Sequence, residues 1–183
     1  MKNKEGKYFS ISLEKEYRDT KTLIEKIRED KWFTSSTIIV NCSPDYSSRL
    51  TMTVNHGLSD INKNELFEQM DLQMPYPNTN QVWNPATKSY ESYDSYLKNW
   101  INENVYPCNF LFIDSGTLRG KNFNKLKLSI RHKLENENFR FASLYVQDDA
   151  ILIPDYYVEK FNKEEQGGLL FEWENPLNPN WDY

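Results

Sequence analysis

The stretch FLFIDSGTLRGKNFNKL, residues 110–126, decides the fold. NFLFID at 109–114 is a strongly apolar run of strand length that ends on an acid, Asp114. SGTLRGKN follows as a glycine-containing link, and Phe123, Leu126, Ile130 and Leu134 then recur at spacings of three and four, which predicts a helix over 121–135. Buried strand, acid, glycine loop and helix start, in that order, describe one unit of an open parallel sheet. In such sheets ligands bind outside the carboxyl ends of the strands.

Working outward, the neighbouring segments repeat the pattern. Tyr93, Tyr96, Leu97, Trp100 and Ile101 predict an amphipathic helix that stops near Asn104 and Pro107. FRFASLYV at 139–146 reads as the next strand, and 151–161 and 168–174 as two shorter extended segments. Toward the N-terminus, Leu13, Tyr17, Thr20, Ile24 and Ile27, with Leu23 beside them, predict a helix. Ser12 is its N-cap, and Glu14 and Glu16 lie in the first turn, where the helix dipole favours them. TIIV at 37–40 is β-branched and continuous, as in a strand covered on both faces. NCSPDYSSR at 41–49 reads as a loop, RLTMTV at 49–54 as an alternating strand, and SDINKNELFEQM at 59–70 as a helix capped by Ser59. MPYPNTNQVWNPATKS holds three prolines and reads as a long loop, part of an insertion around 74–92. Such a loop is either functional or an ordinary surface insertion. Helices alternating with buried strands predict one α/β domain over 1–183, a mainly parallel sheet flanked by helices.

Composition bounds the function. The 183 residues suffice for one core, and 15% of them are aromatic, with 12 Tyr, 10 Phe and 5 Trp. No apolar run approaches the ~18 to 20 residues of a spanning helix, and the N-terminus lacks an apolar signal region. No membrane association and a cytoplasmic location are expected. Cys42 and Cys108 are the only cysteines, without metal-ligand spacing, which fits a reducing compartment. A net charge of −5 argues against duplex DNA, whose phosphates must be neutralised by Lys and Arg.

The chemistry concentrates at 114–122. A loop feeding a helix N-terminus offers unpaired N–H groups and a positive dipole end to an anion. Gly116 and Gly120 permit close backbone approach, and Arg119 and Lys121 add charge-assisted bonds. From the residues alone this is either a phosphate cradle with Asp114 beside it, or a plain strand-to-helix turn with solvated charges. Other candidates carry two readings as well. Cys42 and His56 form a nucleophile pair or serve structure alone, and Asp148 and Asp149 join Asp114 at a metal or form a solvated turn. Tyr156, Tyr157, Phe171 and Trp173 stack on a base or are core aromatics of a small C-terminal hood. Glu172 and Glu174 read as a solvated strand face.

The run from Ile113 through Asp114, Ser115, Gly116, Thr117, Leu118, Arg119, Gly120, Lys121, Asn122 and Phe123 resembles the phosphoribosyl-pyrophosphate (PRPP) loop of type I phosphoribosyltransferases. That pattern is an apolar strand, two acids, two variable residues, often Asp, then Thr or Ser, Gly, any residue and Thr. LYVQDDAILIPDYYVEKF followed by LLFEWENP is similar to the C-terminal part of the xanthine, guanine and hypoxanthine enzymes, where such segments form the purine pocket. The resemblance implies a type I phosphoribosyltransferase fold with a C-terminal hood, and PRPP or a nucleotide as ligand. It places the 5′-phosphate on Thr117, Leu118, Arg119, Gly120, Lys121 and Asn122. The ribose, the catalytic role and any Mg²⁺ fall to Asp114, and a purine-like base falls to Tyr157 and Trp173. A homodimer is the expected assembly, and a protein partner could dock on the Tyr-, Trp- and Asn-rich insertion at 74–100.

The departures are as informative. Ser115 stands where the family has its second acid, and Leu118 where an Asp serves as base toward the purine. A leucine accepts no proton, so that route of catalysis is lost. The family's glycine pair after the first strand is absent from NCSPDYSSR. Two expectations follow: an enzyme transferring phosphoribose to a purine-like base, or a catalytically inactive relative that binds a nucleotide or a protein.

Overall fold

The computed structural model describes residues 8–75, 79–117 and 119–172. Its centre is a five-stranded, all-parallel sheet of β2 (Ile38–Cys42), β3 (Gln69–Leu72), β6 (Phe110–Thr117), β7 (Phe139–Gln147) and β8 (Tyr156–Phe161), in the order β3-β2-β6-β7-β8. Alternation along the central strand explains the layers. Phe110 and Phe112 of β6 pack with α3 (Tyr93–Asn104) and α4 (Lys121–Ile130), while Leu111 and Ile113 pack with α1 (Leu13–Glu29) and α2 (Pro44–Leu58). A strand apolar on both sides is what a sheet covered on both faces requires.

The helices begin where their caps dictate. The Ser12 hydroxyl accepts the Lys15 N–H at the start of α1, and Ser92 does the same for Ser95 at the start of α3. A second parallel pair, β1 (Tyr8–Ile11) with β9 (Gly168–Phe171), forms the hood. The Glu172 carboxylate accepts the Leu13 N–H at 2.8 Å, so this side chain caps α1 and is not a purely solvated face. Leu169 lies so near β6 that a Cβ on Gly116 would come within 2.6 Å of its Cδ1. Trp173, Glu174 and the tail lie outside the described residues.

Two predicted elements are overturned. Residues 49–54 are not a strand, and 41–49 are not a loop: both fall largely in α2. Pro44 opens that helix at a position where its missing N–H costs nothing. Leu50, Val54 and Leu58 are buried at intervals of four, a helical stripe that outweighs the strand propensity of the interleaved threonines. Residues 59–70 are not a helix either. Ser59 ends α2, a turn follows, and Gln69 to Leu72 form the edge strand β3. The insertion carries an antiparallel hairpin of β4 (Gln81–Asn84) and β5 (Ser89–Ser92), with the exposed Trp83 and Tyr90 rings edge to face at 5.2 Å. Tyr93, Tyr96 and Trp100, counted with that insertion from sequence, are buried in α3. No helix among the described residues is long and apolar enough to cross a membrane.

Candidate functional site

Asp114 does not end its strand. β6 runs three residues further, to Thr117, and Asp114 sits level with Ser143 of β7. Its carboxylate accepts the Ser47 hydroxyl at 2.9 Å, and the Ser115 N–H donates to that same hydroxyl oxygen at 3.1 Å. Ser47 comes from α2, so the helix that sequence reading missed supplies the acid's main partner. Burial pushes the Asp114 carboxyl up to about 6, while the Ser47 hydroxyl and the N–H groups of Ser115 and Gly116 pull it back down.

Beyond Thr117 the chain turns sharply into α4. Gly120 holds the left-handed conformation at φ 68°, and a Cβ there would fall 2.6 Å from the Leu152 carbonyl oxygen and 2.8 Å from its nitrogen. The Ile151 N–H donates to the Arg119 carbonyl at 3.1 Å, which ties the turn to the segment after β7. α4 starts without a side-chain cap and without an acid in its first turn. The first intrahelical bond runs from the Asn124 N–H to the Gly120 carbonyl. The leading N–H groups of a helix have no intrahelical partner, so 121–123 present the end of α4 in the form that suits an anion. Arg119, Lys121 and Asn122 are exposed around it. Leu118 lies outside the described residues.

Two buried polar atoms at this end of the sheet stand unpaired among the described residues: Thr117 Oγ1 and Gln147 Oε1. Each residue is only 5% exposed. Thr117 is the last residue of β6 and pairs with Val146, so Gln147 lies one position past it on the adjacent strand. Such orphans are rare in native proteins and mark places that a ligand or water completes. Gln147 was missed from sequence because a glutamine ending an apolar strand carries no pattern of its own.

The side of the site toward β2 is different. Asn41 donates to Ser48 Oγ at 3.0 Å and to Asp71 at 2.8 Å, and accepts from Thr51 Oγ1 at 3.0 Å. The Ser43 N–H donates to the Leu72 carbonyl and Ser48 Oγ to the Pro44 carbonyl. The Asn41 amide, the Ser48 hydroxyl and the Ser43 N–H are thus engaged by the protein itself.

The remaining candidates are dispersed. Tyr157 lies two strands from Asp114 at the same level, roughly 10 Å away, in the register Asp114, Ser143, Tyr157. Its ring is flanked by the Lys26 ammonium at 5.5 Å and the Lys160 ammonium at 5.7 Å. Tyr156 is buried and donates to Asp30 at 2.7 Å, and Phe171 is core, so both are structural. Trp173 falls outside the described residues. Cys42 is fully buried and its thiol is pushed well up by burial. His56 sits at the far end of α2, about 18 Å of helix away, so the two form no pair. Asp149 accepts from Gln147 Nε2 and Asp148 from Asn162. Among the described residues no group of three or more His, Cys, Asp or Glu side chains converges on a metal position. Mg²⁺ is commonly held by one or two carboxylates together with waters and substrate phosphates, and Asp114 is the carboxylate this site supplies.

No family model matches the chain, and no curated protein matches it. Solved structures do. The chain is similar to a purine phosphoribosyltransferase from Pyrococcus horikoshii Ot3 at 16% identity and a TM-score of 0.65, covering 97% of this chain and 99% of that one. It is similar to the Helicobacter pylori xanthine-guanine-hypoxanthine phosphoribosyltransferase at 15% identity and a TM-score of 0.61, covering 94% and 96%. A hypothetical protein from Neisseria gonorrhoeae with bound ppGpp matches at 12% identity and a TM-score of 0.61, covering 94% and 92%. At such identities the likeness is one of backbone architecture, and by that measure this parallel sheet with its flanking helices has the type I phosphoribosyltransferase fold.

Proposed function

We propose that this protein binds a phosphorylated ribose ligand, PRPP or a nucleotide, as a cytoplasmic phosphoribosyltransferase-like protein. The 5′-phosphate lies over Thr117, Leu118, Arg119, Gly120, Lys121 and Asn122, and the ribose lies at Asp114. Tyr157 and Trp173 border a purine-like base. The observation that carries the reading is Thr117 Oγ1, buried without a hydrogen-bond partner among the described residues and four residues before the uncapped start of α4. Isothermal titration with ribose 5-phosphate, PRPP, purine mononucleotides and ppGpp tests it. Binding of at least one at micromolar concentration is the expected result. Failure of all of them up to millimolar concentration removes the reading.

A second reading, binding without transfer, is favoured by the β2 side of the site. There the Ser43 N–H, the Ser48 hydroxyl and the Asn41 amide are engaged in internal hydrogen bonds and are not offered to a pyrophosphate. Leu118 in place of a base points the same way. Asp114 would hold Mg²⁺ together with the phosphates of the ligand, since that ion commonly takes only one or two carboxylates from the protein, and no step is routed through it. Incubation with PRPP, Mg²⁺ and a panel of purines separates the two readings. Pyrophosphate release that Asp114→Asn abolishes makes the protein a transferase, and tight binding without release makes it a binding module. In the latter case the hairpin with Trp83 and Tyr90 is the surface we assign to a protein partner.

A further inference from the structure

At α4 the charge of the chain changes sign. From Ser115 to Leu134 there is no Asp or Glu, while Arg119, Lys121, Lys125, Lys127, Arg131 and Lys133 are all cationic, in a chain whose net charge is −5. Two of these cations are used within the fold. Lys125 pairs with Asp94 at 2.7 Å, and the Lys133 ammonium donates to the Ile101 and Asn102 carbonyls at 3.1 and 2.9 Å. Both therefore turn toward α3. Helical spacing sends Lys127 and Arg131, one turn apart, to the opposite flank of α4. Neither has a carboxylate at ion-pair distance among the described residues, and Arg131 Nε donates to the Asn136 side chain at 2.9 Å.

The same flank carries exposed apolar side chains. α3 reaches the edge strand β3 through the bond from Trp100 Nε1 to the Asp71 carbonyl at 2.9 Å. The sheet order thus places α3 on one side of α4 and the connection from β7 to β8 on the other. That connection is held to the start of α4 by the Ile151 N–H on the Arg119 carbonyl, and its Leu152 joins Phe123 of α4 in the core. Ile151 and Ile153 stay at the surface, 64% and 38% exposed, and Leu128, beside Lys127 on α4, is 54% exposed. A single exposed aliphatic is ordinary. Three of them beside two cations without carboxylate partners mark a surface that another molecule covers.

The chemistry narrows the occupant. Single-stranded nucleic acid does not match, because these residues offer no Phe, Tyr or Trp ring for a base to stack on. An anionic bilayer does not match either: Asp148, Asp149 and Asp155 flank the isoleucines in the chain, and a broad negative surface would meet them as well. A narrow segment of a protein can avoid them. We propose that this flank of α4 and residues 151–153 dock an acidic segment of another protein, its carboxylates on Lys127 and Arg131 and its apolar side chains over Leu128, Ile151 and Ile153. The proposal stands apart from the phosphate reading, since neither Lys127 nor Arg131 belongs to the loop at 117–122. Fluorescence anisotropy with the full chain tests it, using a labelled amphipathic peptide of Glu and Leu, a peptide of Glu and Ser of the same charge, and oligouridine. Co-sedimentation with phosphatidylserine vesicles is the fourth arm. The Glu–Leu peptide is expected to bind at least about tenfold more tightly than the Glu–Ser peptide and oligouridine, and to weaken as salt rises. Lys127→Glu combined with Arg131→Glu is expected to weaken it about tenfold, and Leu128→Ser combined with Ile151→Ser by a similar factor. These positions lie outside the core, and thermal unfolding verifies that both variants are folded. No binding of the Glu–Leu peptide, equal binding of the Glu–Ser peptide, preference for oligouridine, capture by the vesicles, or an affinity unchanged in either variant overturns the proposal.

Discussion

Replacing Asp114 by asparagine should make the protein more stable at neutral pH. Burial carries this carboxyl from its usual 3.8 up to about 6. The folded chain thus holds the proton more tightly than the unfolded chain does. The stabilisation from protonated Asp114 is complete below about 3.8 and is lost as the pH climbs through about 6. Above that, the fold carries a penalty of up to roughly 3 kcal/mol for an ionised group that is partly buried. Asparagine escapes it. Its oxygen can still accept the Ser47 hydroxyl, but its new NH₂ needs a partner, which takes back on the order of 1 to 2 kcal/mol. The net expectation is a gain of about 1 to 2 kcal/mol at pH 7.5, a shift of roughly 2 to 8 °C for a chain of this size. At pH 4.5 the variant should be no more stable than wild type. Urea unfolding followed by tryptophan fluorescence at pH 4.5, 6 and 7.5 measures the difference. Comparing the two proteins cancels carboxylates they share, such as Asp30, which is held below its usual range chiefly by the Trp32 N–H. A difference that does not change with pH, or a variant less stable at pH 7.5, would refute the reasoning.

Two further substitutions probe the frame of the site. Gly120→Ala forces a side chain into the left-handed region and against the Leu152 backbone; a loss of about 2 kcal/mol or more is expected in urea denaturation, together with loss of phosphate-ligand binding. Ser47→Ala leaves the Ser115 N–H without its acceptor and Asp114 without its hydroxyl donor. It should cost about 1 to 3 kcal/mol in the same assay and move the midpoint of the Asp114 titration further upward, read from the pH dependence of stability.

Much of the scaffold was legible because its signals are local. The helix over Leu13–Glu29 declares itself through the Ser12 cap and the stripe of Leu23, Ile24 and Ile27, and the strand Phe110–Thr117 through a run too apolar for any surface. The hydrophobic spacing that predicts a helix after Gly120 depends on nothing outside that segment. Residues 49–54 failed because two periods overlap there: Leu50 and Val54 fit a helix, while alternation with Met52 and the threonines fits a strand. Packing against β2 and β6 settled the conflict, and no local window contains that information. Residues 69–72 failed for a related reason. An edge strand with half its side chains exposed has a weak pattern, and only its pairing with β2 makes it a strand.

The chain by itself determined the identity of the βα unit, the acid at 114, the leucine at 118 and the glycine at 120, since each is a property of consecutive residues. Which groups surround that acid was decided only by tertiary structure. Ser47 reaches Asp114 across 67 positions of sequence, and Gln147 comes beside Thr117 through strand pairing. Hydrogen-bond satisfaction is a property of a filled volume, so a spent asparagine and an orphaned glutamine look alike until the chain has folded around them.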